Sequence, residues 1–89
     1  MAMTGIKTST GFCWQVDEEA ANDMELLESL IAIDKGDATA LPAVIRQLLG
    51  DNGKRALYDH VRKENGRVPA DEVGVQVGEI LEQLKTKKN

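Results

Sequence analysis

The chain has 89 residues, which is enough for one domain and too few for two. Its apolar content of 42% excludes wholesale disorder, and its net charge of −4 argues against a protein that follows a phosphate backbone. One cysteine cannot form an internal disulfide, and we find neither a signal peptide nor a membrane span, so we expect a cytoplasmic protein without a membrane partner.

The amino-terminal segment is rich in threonine, aromatic and β-branched residues. A Thr10-Gly11 pair near its middle predicts a turn between two short extended segments. Phe12, Trp14 and Val16 alternate onto one face, which should pack on helices because a lone hairpin is marginally stable in water. We therefore predict an extended or hairpin element over residues 1–16.

The next segment has the pattern of an amphipathic helix. Asp17 is placed as its N-cap, with acidic residues in the first turn, where the helix dipole favours negative charge. Lys35 lies near its end, and Gly36 should terminate it. Apolar residues at spacings of four and three predict an inward face made of Ala20, Met24, Leu27 and Ile31, with Leu30 beside them.

Two further helices are predicted before residue 66. Asp37 and Thr39 are both candidate caps for the first, and Pro42 suits its first turn because no helical N–H bond is needed there. Gly50 should end this helix, and Asp51 should open the next. Their inward residues are Leu41, Val44, Ile45, Leu48 and Leu49 in the first, and Leu57, Tyr58 and Val61 in the second.

Pro69 begins the last predicted helix, whose inward face is Val73, Val77, Ile80, Leu81 and Leu84. The predicted fold is therefore mainly α: a compact four-helix domain over residues 17–86, with the hairpin element of residues 1–16 packed on it as part of one single domain. The centre of the core should contain Leu27, Ile31, Leu48, Leu57, Ile80 and Leu81.

The sequence offers no pattern typical of a catalytic or metal site. His60 is the only histidine, and His60 with the distant Cys13 does not supply the three or four ligands that a metal site needs. A Cys13 nucleophile would need His60 as its base, and the two are far apart in sequence. We therefore expect a protein that is not an enzyme, with no catalytic residues, no cofactor and no small-molecule substrate.

The segment from Asn65 to Glu72 resembles part of a calcium loop, since Gly66 and Glu72 match two of its positions. The first and third ligands would then be Val61 and Lys63, which carry no carboxylate. We expect a structural turn there and no metal.

Charge is distributed unevenly. Residues 17–37 contain eight acids and one lysine, whereas residues 46–67 contain six basic residues and three acids. The two segments either lie against each other or form a surface of two signs that docks on copies of the chain or on a partner. The basic helical segment also allows a small DNA-binding regulator as a weaker alternative, although no side-chain cluster suited to reading bases accompanies it.

Four residues are candidates for protein contacts. Glu25 and Glu28 lie on the outer face of the first helix, where the simpler interpretation is a solvated surface. Gly74 and Gly78 lie four apart on the last helix, where they are either tolerated or allow another helix to approach closely. Self-association into a homo-oligomer is also expected, because a domain of this size has a thin margin of stability.

Four short stretches resemble the phage tail assembly chaperones of long-tailed phages and prophages of Gram-positive bacteria. They are KTSTGF at 7–12, MELLE at 24–28, IDKGD at 33–37 followed by LP at 41–42, and NGRVP at 65–69. With the helices between them they cover residues 5–84. None of these motifs is catalytic.

The resemblance implies a chaperone that coats the tape measure protein while tail tube subunits polymerise around it. It implies the tape measure protein as the partner, with the tail tube protein as a second candidate. It also implies action in the bacterial host cytoplasm, absence from the mature virion and, in many such phages, a longer frameshifted product. The alternative is a prophage-encoded adaptor or regulatory domain that binds proteins. Neither role involves nucleic acid.

Overall fold

The structure, a computed structural model, describes residues 2–87, with side chains through residue 85. It contains two strands, β1 (Met3–Lys7) and β2 (Cys13–Asp17), and three α-helices, α1 (Met24–Asp34), α2 (Leu41–Val61) and α3 (Ala70–Lys87). A short 3-10 helix, Ala38–Ala40, leads into α2. The prediction of a four-helix domain is therefore wrong: the fold is α+β, 61% helical, with three helices and a two-stranded antiparallel sheet.

The helix count differs because of what happens at Gly50. Its backbone leaves the helical region, with φ 77° and ψ 174°, a conformation that glycine adopts readily and other residues avoid. The predicted interruption is thus in the right place. However, helical geometry resumes at the next residue without a connecting loop, so the second and third predicted helices form one element, α2.

The start of the first helix also differs from the prediction. Asp17 belongs to β2, where it pairs with Met3, and its side chain accepts a bond from the Glu19 N–H in a turn. The N-cap is Asp23, whose carboxylate accepts from the backbone N–H groups of Glu25 and Leu26 at 2.8 and 3.2 Å. Pairing in the sheet therefore delays the helix until the next aspartate that can cap it.

The sheet lies with one face on the helices. Ile6 is paired with Trp14 and Thr4 with Val16, so these side chains share the inner face. The loop between the strands is closed by the Thr8 N–H, which donates to the Phe12 carbonyl at 2.9 Å.

Hydrogen bonds join this hairpin to α3. The Ser9 N–H and hydroxyl donate to the Glu79 carboxylate at 2.6 and 2.8 Å. The Lys7 N–H donates to the Gln83 side-chain carbonyl, and the Gln83 amide donates back to the Lys7 carbonyl, at 3.1 and 2.6 Å. The amino-terminal hairpin is therefore fixed to the last helix.

The core is filled mainly by the sheet, α2 and α3. The expected burial of Leu48, Leu57 and Ile80 is confirmed, and Leu81 is half-buried against them. The expected burial of Leu27 and Ile31 is wrong. The buried apolar side chains are Ile6, Phe12, Val16, Leu26, Val44, Ile45, Leu48, Leu49, Leu57, Val61, Val73, Val77, Ile80 and Leu84.

Candidate protein-binding surface

The outer side of α1 carries apolar side chains in solvent. Met24 is 68% exposed, Leu27 is 48% exposed and Ile31 is 45% exposed. Residues three, four and seven apart lie on one side of a helix, so these three form a continuous patch, which we call the α1 apolar stripe. The predicted inward orientation of Met24, Leu27 and Ile31 is therefore wrong, because all three side chains lie on the surface.

The reason lies in a second set of apolar residues on the same helix. Leu26 is buried, and Leu30 and Ile33 pack against the core at the same kind of spacing. This second set holds α1 on α2 and on the 3-10 helix, whose backbones lie close to that of α1 in the described part of the chain. Because α1 is apolar on two sides and packs on one, the other side remains uncovered.

Acidic side chains border the α1 apolar stripe. Glu25 and Glu28 are both exposed, and Glu28 is a helical neighbour of Met24 and Ile31. Asp34 is exposed next to Ile31 on the other border. Glu25 and Glu28, the two predicted contact residues on this helix, thus lie at the edge of this surface, and Met24, Leu27 and Ile31 form its centre. The missed signal was the presence of two apolar stripes in one helix.

The glycine pair on α3 belongs to a different surface. Within residues 2–87, no Cα atom of α1 lies within 8 Å of a Cα atom of α3, so Gly74 and Gly78 are not brought together with Glu25 and Glu28. A Cβ atom added at either glycine would have no described atom within 4 Å, apart from chain neighbours and the backbone of α3 itself. No contact within the described chain therefore requires glycine at these two positions.

The basic segment forms part of a shallow groove along α2. Two of its cations are paired nearby: Arg62 with Asp59 at 3.2 Å, and Lys63 with Glu72 at 3.1 Å. These cations neutralise carboxylates outside residues 17–37. The groove, with a volume of about 430 Å³, is lined by Asp51, Lys54, Arg55, Tyr58 and Arg62.

His60 and Cys13, considered above as a base and a nucleophile, make contacts within the hairpin and between the hairpin and α2. His60 Nε2 is 3.0 Å from the Thr10 hydroxyl, and its ring centroid is 5.6 Å from that of Phe12. Cys13 is exposed, and its Sγ lies 3.6 Å from the Gly11 carbonyl oxygen. The two bonds from Ser9 lower the pKa of Glu79, the backbone bond having the larger effect. Nothing in these contacts couples a nucleophile to a base.

Neither metal-site nor membrane geometry is found in the part of the chain that the structure describes. Among those residues, no group of three or more His, Cys, Asp or Glu side chains could hold a metal ion. No helix there combines the length and apolar content needed to cross a bilayer. In the segment compared with a calcium loop, Glu72 is occupied by its ion pair with Lys63.

Comparisons of the chain with models of protein families, with curated proteins and with solved structures find no match. The α1 apolar stripe is accordingly the feature of the molecule on which a functional proposal can be based.

Proposed function

We propose that the protein is a non-enzymatic assembly chaperone that binds a helical protein partner through the α1 apolar stripe. The observation that carries the proposal is the exposure of Met24, Leu27 and Ile31 on one side of a helix whose other side is already packed. A contiguous apolar patch that remains exposed on a folded domain is typical of a protein-binding surface, so the free apolar side of α1 is suited to a partner. Exposed apolar surfaces of this kind commonly bind the apolar face of an amphipathic helix.

The resemblance to phage tail assembly chaperones supplies the proposed partner and place. The partner is the tape measure protein, whose long helices expose apolar surface until tube subunits cover them. The chaperone acts in the host cytoplasm and is left out of the finished particle. The tail tube protein is a second proposed contact.

Co-expression with the tape measure protein encoded in the same genome tests the proposal. The wild-type chain should raise the soluble yield of that protein and co-elute with it on gel filtration. The double variant Leu27→Gln/Ile31→Gln should lose both effects, because it removes the apolar contact while glutamine retains good helix propensity.

The matched control is Val75→Gln on α3, which replaces an apolar side chain that is 61% exposed and lies outside α1. This variant should behave as wild type. An insoluble tape measure protein in the presence of the wild-type chain would refute the chaperone proposal. If the double variant still co-eluted with the tape measure protein, the contact would lie on a surface other than the α1 apolar stripe. If the wild-type chain did not bind the tape measure protein at all, the adaptor alternative would replace the chaperone proposal.

A further inference from the structure

The α1 apolar stripe has the arrangement of a socket for one side chain of a neighbouring helix. Positions i, i+3, i+4 and i+7 surround the hole into which an apolar side chain of a packed helix inserts. On α1 these positions are Met24, Leu27, Glu28 and Ile31, all of them exposed. Three walls of the hole are therefore apolar and the fourth is a carboxylate.

The charged side chains around this hole are mostly negative. Glu25 continues the border that Glu28 begins, and Asp34 lies on the opposite border. Lys35, at the C-cap, is the cation at the carboxyl end of the helix. A helix that packs on the stripe brings its own flanking residues against these carboxylates.

We propose that the occupant of the α1 apolar stripe is a basic amphipathic helix, with apolar residues at spacings of three and four flanked by lysine or arginine. This inference rests on the proposed function and specifies the chemistry of its partner. Apolar burial supplies the affinity, and the flanking cations fix the orientation and exclude acidic competitors.

A second copy of α1 is a poor occupant. In a symmetric antiparallel pair centred on the stripe, the axis passes between Leu27 and Glu28, so Glu28 of one copy approaches Glu28 of the other. In a parallel pair the border of one copy that carries Glu28 lies opposite the border of the other copy that carries Asp34, so acidic borders again face each other. Like charges that face each other across an interface are destabilising, so self-pairing through this surface is disfavoured.

The basic half of α2 from a second copy is also a poor occupant. Its apolar residues Leu57 and Val61 are buried in their own core. The groove that it presents outward is lined by charged side chains, with Tyr58 as its one apolar contributor. It therefore lacks the apolar ridge that the hole between Met24 and Ile31 requires.

Two labelled peptides of about 20 residues, long enough to be helical in water, test the inference. Both carry leucines at spacings of three and four; the flanking positions are lysine in one and glutamate in the other. Fluorescence anisotropy with the full chain at low salt should show the lysine peptide binding about tenfold more tightly. The preference should shrink at about 0.15 M salt, where exposed charges are screened.

Substitution of Glu28 gives the sharper test. Glu28→Lys should abolish the preference between the peptides, because the new cation offsets the remaining carboxylates of Glu25 and Asp34, and Glu28→Gln should reduce it. The matched control is Glu64→Lys, which makes the same change at an exposed position in the turn after α2 and should leave the preference unaltered. Circular dichroism confirms that each variant is folded.

Equal binding of both peptides by the wild-type chain would overturn the basic partner and leave helix binding intact. Binding of neither would also overturn it, and the co-expression experiment decides separately whether the chaperone proposal stands. A wild-type dimer that Leu27→Gln dissociates would assign the stripe to a second copy. Co-sedimentation with anionic lipid vesicles, lost in Leu27→Gln, would assign it to a membrane surface; either result overturns the inference.

Discussion

The indole of Trp14 lies directly against Gly53. A Cβ atom at Gly53 would lie 2.7 Å from Trp14 Nε1 and 2.6 Å from the Cβ of Leu49, closer than packed atoms tolerate. Gly53→Ala should therefore destabilise the domain by about 1–2 kcal/mol, since overpacking outweighs the better helix propensity of alanine. Urea unfolding followed by circular dichroism measures the change. An increase in stability would show that the indole can move aside at little cost.

Gly78→Ala should stabilise the domain, in contrast to Gly53→Ala. The added methyl group meets no described atom beyond its own helix, so alanine should stabilise α3 by roughly 0.5–1 kcal/mol. This is a rise of about 4 °C in Tm for a domain of this size. Gel filtration of the same variant provides a second measurement: a more stable chain with a smaller apparent mass would show that this glycine serves a contact between copies.

Truncation of a leucine should lower the free energy of unfolding much more at Leu48, in the core face of α2, than at Leu27, in the α1 apolar stripe. Leu48→Ala leaves a cavity in the core and should cost about 2–5 kcal/mol, enough to unfold much of a small domain. Leu27→Ala removes a side chain that is about half exposed and should cost about 1 kcal/mol or less. Chemical denaturation of both variants tests the assignment, and equal losses would place Leu27 in the core after all.

The bond between Ser9 and Glu79 predicts a dependence of stability on pH. Hydrogen bonds from the Ser9 N–H and hydroxyl lower the pKa of Glu79 in the folded state. The carboxylate therefore contributes stability above the pKa of an unfolded glutamate, about 4.3, and loses it as the pH falls through the lower folded pKa.

Glu79→Gln removes this contribution, so the stability difference between wild type and variant should narrow as the pH falls through that range. Urea unfolding of both chains at pH values from neutral to acid measures the difference. If the difference in free energy of unfolding between wild type and Glu79→Gln stayed constant across this pH range, Ser9 would bind the carboxylate and the protonated carboxyl group equally strongly. Glu64→Gln, at an exposed position in the turn after α2, is the comparison for a change of charge without the Ser9 bonds.

Much of the fold follows from local signals, and the errors arise where two signals compete. Asp17 and Asp23 are both suitable N-caps, and only the pairing of Asp17 with Met3 in the sheet decides between them. Gly50 was recognised as an interruption, but whether a loop follows it depends on tertiary packing. The alternation of Phe12, Trp14 and Val16 predicts a shared face because side chains two positions apart in a strand lie on the same side of the sheet.

The candidate surface was harder to predict, for a physical reason. Leu27 and Ile31 recur with a helical period, and so do Leu26, Leu30 and Ile33 on the same eleven-residue helix. Periodicity identifies both stripes and cannot tell which one faces the core, because that depends on how α1 docks on α2. The acidic residues are visible in the sequence, but their position beside an exposed apolar stripe depends on the same docking of α1.

The bonds between the hairpin and α3 have a consequence for synthesis. Ser9 and Glu79 are separated by 70 positions, so a ribosome adding about 5–20 residues per second incorporates Ser9 roughly 4–14 s before Glu79. During that interval β1, with its buried Ile6, lacks α3, the helix against which it lies in the native fold. The hairpin is translated before α1, α2 and α3 but reaches its native position only when α3 is available, so the domain should fold as one cooperative unit after translation of α3.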